Sequence, residues 1–308
     1  MRYLPQGLLL VASLVLITPP LAASPVPGSW VDAVTPVVKP AEPDAIALPV
    51  ALPRANTAHE AWAQQTPDQR IAYNIVRPEL IPVPGSLPAT TNAPAVLLVP
   101  GGGFQFLAMD NEGYDVARRL DRLGVRVFIV KYRTLPVPDN FAGFKEAIAQ
   151  TFQKGALPAE DNRPFAVADT QAAIRTMRAN AIAWHIDPAR IGILGFSAGA
   201  VTVLGTAQAN DPGARADFVG MIYGPTQGSA VPPNAPPLFA AIAANDRFFK
   251  AQDLSLIHAW RQSGSPVELH LYSGGGHGFA SHPNGTTSDA WFNQFALWLE
   301  VSGVLNRR

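Results

Sequence analysis

The stretch Ile191-Gly192-Ile193-Leu194-Gly195-Phe196-Ser197-Ala198-Gly199-Ala200 constrains this chain more than any other. An apolar run of buried-strand character ends in Gly-Phe-Ser-Ala-Gly and passes at once into a helix of small residues. That layout places a serine on a sharp strand-to-helix turn, a nucleophile elbow. The turn strains the serine backbone, and the residues two before and two after it have no room for a Cβ, hence the two glycines. The serine Oγ is lifted clear of the sheet, at the positive end of the following helix. The five-residue pattern is short, and its alternative is an ordinary Gly/Ser loop. Its strand-before, helix-after context favours the elbow.

The rest of the chain supplies further strands and helices in alternation. Ile71, Tyr73 and Ile75 alternate with Ala72 and Asn74, which predicts a strand in an edge hairpin, stopped by Pro82, Pro84 and Gly85. Ala95-Val96-Leu97-Leu98-Val99 reads as a strand buried on both faces and opens into Pro100-Gly101-Gly102-Gly103-Phe104. A helix follows over 111–123, then a buried strand over 125–130 that ends at Lys131-Tyr132-Arg133. Residues 136–164 form an insertion with one helix over 144–152, a candidate wall or lid above the strand ends. A helix over 168–184, with Ile174, Met177 and Ala181 in a stripe, leads to the elbow strand. Strands over 218–223, 238–243 and 267–272 follow, with a helix over 248–263 between the last two. A terminal helix over 289–301 carries Trp291, Phe295 and Trp298 on one face, an aromatic stripe for packing on the sheet. There is no internal repeat. This alternation predicts an α/β fold: a mainly parallel central sheet with helices on both faces and ligands at the C-terminal strand ends.

Residues 59–308 are therefore read as one catalytic domain. Residues 24–58 are a strap or linker rich in proline and alanine, with Pro36, Pro40, Pro43, Pro49 and Pro53 excluding a regular helix or central strand. Residues 1–23 carry Arg2, an apolar core from Gly7 to Ile17 and a small-residue exit at Ala22-Ala23. The core is short for a membrane span and reads as a secretory signal peptide, which predicts a secreted or periplasmic protein. A retained single anchor is the alternative. No later stretch could span a membrane.

Charge and cysteine content narrow the function classes. The 23 basic and 23 acidic residues balance, with no patch suited to nucleic acid. At 48% hydrophobic and 15% charged residues, the chain is of the globular, well-buried kind. The absence of cysteine excludes disulfides, a thiol nucleophile and thiolate-held metals. No His-Glu-x-x-His or other metal-ligand spacing occurs, and neither phosphate-cradling glycine pattern is present, so no metal and no cofactor are expected.

A neutral serine needs an adjacent base. His277, in Gly274-Gly275-Gly276-His277-Gly278-Phe279 after the last strand, is the best placed of the histidines, with His282 a distant second. The base in turn needs a carboxylate to hold its tautomer. Asp246, at the end of strand 238–243, is placed for that; its bland reading is a helix N-cap, and Asp253 is the fallback. Oxyanion donors are expected from the N–H groups of Ala198, Gly102 and Gly103. Phe104, Phe106 and Phe279 are candidate pocket walls, or plain core.

Four stretches together resemble the α/β-hydrolase superfamily, and within it the secreted acetylxylan-esterase-like and feruloyl-esterase-like branch: Pro100 to Phe104, Lys131 to Arg133, Ile186 to Gly199, and Gly275 to Phe279. The order Ser197, Asp246, His277 is the α/β-hydrolase order. The resemblance implies a serine carboxylic-ester hydrolase with Ser197 as nucleophile, Asp246 as acid and His277 as base. Pro100 stands where hormone-sensitive-lipase-like relatives carry histidine, which argues against that branch. The expected substrate is a short acyl ester, acetyl on a carbohydrate or a small alcohol. A prolyl-oligopeptidase-like peptidase shares the triad order, but the region before Arg70 is too short for its propeller. A non-catalytic binding module on the same scaffold would be expected to lack a triad member.

Overall fold

In the computed structural model, residues 29–51, 58–66, 68–88, 92–153 and 162–305 are described. The expected signal peptide, the first residues of the strap (Pro25 and Pro27 among them), Pro53 and residues 154–161 of the 136–164 insertion lie outside the described residues. The strands are β1 (Thr35–Val37), β2 (Ile46–Ala47), β3 (Ala61–Gln64), β4 (Arg70–Tyr73), β5 (Glu79–Pro82) and β6 (Ala93–Val99). They continue as β7 (Phe106–Ala108), β8 (Arg126–Lys131), β9 (Ile186–Phe196), β10 (Phe218–Ile222), β11 (Leu238–Ala243) and β12 (Val267–Tyr272). The helices are α1 (Ser29–Ala33), α2 (Asp115–Asp121), α3 (Phe141–Gln153), α4 (Arg163–Ala179), α5 (Ala198–Gln208), α6 (Ser255–Gln262) and α7 (Trp291–Val301).

Eight strands form one sheet in the order β12-β11-β10-β9-β6-β8-β5-β2. The run from β12 to β8 is parallel, and β5 and β2 add antiparallel at one edge. Every residue of β6, β10 and β11 is buried, as expected of parallel strands covered on both faces. Neighbouring residues on β9 show the two layers. A Cβ on Gly195 would point at Val203 of α5, whereas the Phe196 ring meets Trp291 of α7. Alternate strand residues face opposite ways, so α5 and α7 lie on opposite faces. This is the expected α/β architecture. Among the described residues no helix is long and apolar enough to cross a membrane.

A second, antiparallel sheet of order β1-β3-β4-β7 stands beside the glycine loop. Ala63, Ile71, Tyr73 and Phe106 of this sheet, with Val31, Val34, Val137, Phe144 and Ile148, form a smaller core of their own, while Trp62, Ala72 and Leu107 join the main core. The α3 helix of the insertion packs there, its Phe144 stacked on Tyr73 at 4.0 Å between centroids. The strand expected from Arg70 is β4, but it forms no hairpin with the segment that follows: β4 pairs with β3 and β7 in this sheet, while β5 joins the main sheet beside β8.

The strap is less irregular than its prolines suggest. Its described part contributes α1, β1 and β2, the last pairing with β5 as the outermost strand. Pro36 is accommodated because β1 is itself an edge strand. The strap is also fastened by charge. The fully buried Lys131 ammonium lies 2.8 Å from Glu42, 2.8 Å from Glu60 and 2.5 Å from Glu79. Lys39 meets the same three carboxylates from the surface, Glu60 at 3.0 Å. Burial alone would make the ammonium easier to deprotonate, but three carboxylates hold its pKa well above the usual lysine range.

Candidate active site

The elbow has the geometry that its glycines demand. Ser197 lies between β9 and α5 with φ +52° and ψ −118°, a strained conformation for a non-glycine residue. A Cβ on Gly195 would come within 2.3 Å of the Gly199 carbonyl oxygen. A Cβ on Gly199 would come within 1.9 Å of the Val99 carbonyl oxygen. Both obstacles are backbone, so no side-chain rearrangement relieves them. Ser197 N–H donates to the Ile222 carbonyl at 3.1 Å, which ties the turn to β10.

His277 bridges the serine and the acid. Its Nε2 is 2.8 Å from Ser197 Oγ, and its Nδ1 is 2.7 Å from Asp246 Oδ2. A carboxylate can only accept, so the short Asp246 contact places the proton on Nδ1 and leaves Nε2 to accept from the serine. The other oxygen of Asp246 accepts the N–H groups of Phe248 at 2.9 Å and Phe249 at 3.3 Å. Asp246 thus makes the cap contact and the histidine contact together, one carboxyl oxygen for each. Asn245 Oδ1 accepts Gly276 N–H at 2.9 Å and braces the histidine loop. The rings of Tyr223 and Phe248 stand edge-on to His277 at 4.8 and 4.6 Å.

The alternatives lie elsewhere. Asp253 precedes α6 and accepts from Ser255 N–H at 2.9 Å. His282 Nδ1 is 2.7 Å from Asn111 Oδ1, in a polar cluster with Ser281 that pins the histidine loop to the segment before α2.

The glycine loop reaches the serine. A Cβ on Gly101 would fall 2.7 Å from Ser197 Cβ, so this loop and the elbow touch. The Gly101 N–H is taken by Glu112 Oε2 at 2.5 Å, which directs attention to the next two amides, Gly102 and Gly103. Ala198, the first residue of α5, has an N–H without an intrahelical acceptor by position. Tyr132 OH donates to the Pro100 carbonyl at 2.7 Å and fixes the start of the loop.

The three candidate wall residues are all buried. Phe104 packs edge-on to Tyr132, and Phe279 edge-on to Tyr223 and Tyr272. Phe106 belongs to the small second core, although its backbone and ring lie against Gly102. The half-buried Phe248, beside His277, was not singled out from the sequence.

Two further residues escaped sequence reasoning. Glu112 is buried on a single π-helical turn, Asp110–Tyr114, and Tyr223 OH donates to its Oε1 at 2.7 Å. Burial pushes the Glu112 carboxyl up, while Tyr223, the Gly101 N–H and the charge of His277 pull the other way without cancelling it. Burial, with Glu112 as neighbour, pushes the Tyr223 hydroxyl well above its usual range. The one sequence signal was Tyr223 itself, an aromatic with a polar tip at the C-terminal end of a strand beside the elbow strand. A separate cleft of about 430 Å³, lined by residues including Arg118, Arg122, Phe128 and Trp184, opens at the N-terminal ends of the strands, away from Ser197.

An eight-stranded, mainly parallel sheet with an elbow serine, an acid and a histidine at the ends of β9, β11 and β12 defines an α/β-hydrolase fold. The sequence pattern of the dienelactone hydrolase family matches residues 93–300, more than half of the chain, and the protein belongs to that family. An acetylxylan esterase from Xylanibacter ruminicola is 33% identical over 113 residues, 37% of this chain. The chain spans only 18% of that relative's length. Among solved structures, an acetyl ester-xyloside bifunctional hydrolase from Caldicellulosiruptor lactoaceticus superposes with a TM-score of 0.58 at 22% identity, covering 75% of this chain and 90% of that one. A carboxylesterase from Lactobacillus plantarum superposes with a TM-score of 0.58 at 20% identity, covering 78% and 98%. At these identities the structural likeness shows the fold.

Proposed function

We propose that this protein is a serine carboxylic-ester hydrolase that removes short acyl groups, acetyl foremost, from carbohydrate or small-alcohol esters. The observation that carries the reading is the placement of His277 within hydrogen-bonding distance of both Ser197 Oγ and Asp246. In this mechanism Ser197 Oγ attacks the ester carbonyl while His277 Nε2 takes its proton. The negative charge that develops on the carbonyl oxygen is met by the N–H groups of Gly102, Gly103 and Ala198. Asp246 keeps the imidazolium oriented and neutralised. Collapse of the tetrahedral species breaks the ester C–O bond, and His277 returns the proton to the leaving alcohol. Water, deprotonated by His277, then attacks the acyl-serine and releases the acid.

Support for a short acyl group comes from the packed aromatic surroundings of the site, Phe104, Phe106 and Phe279, together with Phe248 at the histidine. Support for a carbohydrate ester comes from the partial likeness to the acetylxylan esterase. The apolar segment near the N-terminus supports export to the periplasm or beyond. The test is a series of p-nitrophenyl esters of rising acyl length, run beside acetate release from acetylated xylan and acetylated oligosaccharides. Acetyl and propionyl esters should be hydrolysed fastest, with acetate released from at least one carbohydrate. A preference for long acyl chains would refute the short-acyl assignment.

A further inference from the structure

Glu112 is a buried acid that no acyl-transfer step uses, yet it sits one residue's width from the nucleophile. A Cβ on Gly101 would lie 2.7 Å from Ser197 Cβ and 2.9 Å from Glu112 Oε2. The carboxyl is held there by the π-helical turn Asp110–Tyr114, whose extra residue breaks the α-helical register and turns the side chain inward.

Its contacts join two loops that the chain brings from distant places. Oε2 accepts the Gly101 N–H at 2.5 Å, and Oε1 accepts the Tyr223 hydroxyl at 2.7 Å. The Tyr223 ring in turn packs edge-on to Phe279, at 4.9 Å between centroids. Gly101 begins the glycine loop after β6, and Phe279 lies two residues beyond His277 on the loop after β12. Two hydrogen bonds and the Tyr223 ring therefore link the oxyanion loop, through Glu112, to the loop of the base. The Tyr223 ring also stands edge-on to the His277 ring at 4.8 Å.

The choice of an acid here calls for an explanation. Burying a carboxyl is costly unless its oxygens are satisfied, and an apolar side chain of similar volume would fill the space at lower cost. A carboxylate provides two acceptor oxygens on one rigid plane. Three successive glycines have little conformational preference of their own, so the direction of their amides must be imposed from outside. Fixing the Gly101 N–H fixes the peptide plane from which Gly102 and Gly103 follow.

We infer that Glu112 is a positioning residue that sets the oxyanion loop and the His277 loop at their working separation, through Gly101 N–H and the Tyr223 hydroxyl. This inference rests on the serine-esterase reading of the site. It predicts a loss expressed in kcat, because the oxyanion exists only in the transition state and the adjacent intermediate.

The test uses the full chain and p-nitrophenyl acetate, comparing wild type with Glu112→Ala, Glu112→Gln and Tyr223→Phe. Functional sites are titrated with a fluorophosphonate, so that kcat refers to sites and not to total protein. Glu112→Ala should lower kcat by about 100-fold with KM within about twofold, the size of effect seen when an oxyanion donor is lost. Glu112→Gln keeps an acceptor for Gly101 N–H and should recover at least about tenfold of that loss. Tyr223→Phe, which leaves Gly101 bonded but removes the hydroxyl that holds Glu112 Oε1, should fall between them. Wild-type kcat per titrated site in Glu112→Ala, a loss confined to KM, or a Gln variant no better than Ala would overturn the inference. If Glu112→Ala does not fold, Glu112→Gln and Tyr223→Phe decide it, and wild-type kcat in both overturns it. Failure of the underlying serine-esterase reading would look different: wild type itself would resist the fluorophosphonate.

Discussion

Gly199 is pressed against Val99, leaving 1.9 Å between an ideal Cβ and the Val99 carbonyl oxygen on β6, the neighbour of the elbow strand in the sheet and a hundred residues earlier in sequence. The contact joins the first turn of α5 to the end of β6, where the glycine loop begins. It therefore couples the orientation of Ser197 to that of Gly101–Gly103. Gly199→Ala should force the helix off the strand. The expected cost is about 1–3 kcal/mol of stability, read as a lower thermal midpoint. Ester hydrolysis should fall by at least about 100-fold, because both sides of the oxyanion site move. A Gly199→Ala enzyme with wild-type kcat would mean that the contact is not needed.

Asp246 serves His277 with one oxygen and the Phe248 and Phe249 N–H groups with the other. Asp246→Asn keeps an oxygen for the cap but no longer enforces the Nδ1–H tautomer. It should melt close to wild type while kcat falls by about 10⁴-fold. Steady-state kinetics beside a melting curve separate the two roles. Equal loss of stability and activity would reduce Asp246 to a cap.

Lys131 is the one cation placed among Glu42, Glu60 and Glu79 in full burial. Lys131→Met fills the same volume and leaves three carboxylates together with only the surface Lys39 to offset them. Denaturant unfolding should report a loss of about 3–5 kcal/mol, the scale for breaking a buried pair from one side. A loss under about 1 kcal/mol would place the cluster with surface ion pairs.

The same cluster makes stability depend on acid. Burial raises the Glu60 pKa, but hydrogen bonds and charge from Lys131, with Trp62 and Lys39, bring it to a net value below the ordinary 4.5. A folded pKa below the unfolded one means the native state binds fewer protons, so the stabilisation is complete above pH 4.5 and fades as pH falls through the lowered value. Wild type should therefore exceed Glu60→Gln in stability at neutral pH, with the gap closing below pH 4.5 in urea titrations. A gap constant from neutral to acid pH would contradict the assignment.

What could be read in advance follows from how local each signal is. Strands 238–243 and 267–272 match β11 and β12 because continuous or alternating apolar runs between breakers depend on few neighbours. Ser197, Asp246 and His277 were legible because each stands at a strand end, where a parallel sheet collects its loops. The helix over 111–123 was legible only in part. Its first turn is a π-turn, bent by partners of Asn111 and Glu112 that lie 170 and 111 residues away. Glu112 and Tyr223 have no pattern of their own, since their meaning lies in a contact between distant loops. The strap looked shapeless because proline suppresses strand signals, while edge pairing with β3 and β5 tolerates it. The packing of the Phe106 ring could not be read from its place beside the glycines, because the second core it joins is assembled from β4, α3 and the strap.

The central claim is that Ser197 carries the acyl group. Incubating the purified protein with a fluorophosphonate, then digesting it and sequencing the adduct by mass spectrometry, tests this most directly. The account predicts one modified serine, Ser197, with ester hydrolysis lost in step with labelling, and neither labelling nor hydrolysis in Ser197→Ala. An adduct on another residue, or a Ser197→Ala protein that hydrolyses p-nitrophenyl acetate at the wild-type rate, would contradict it.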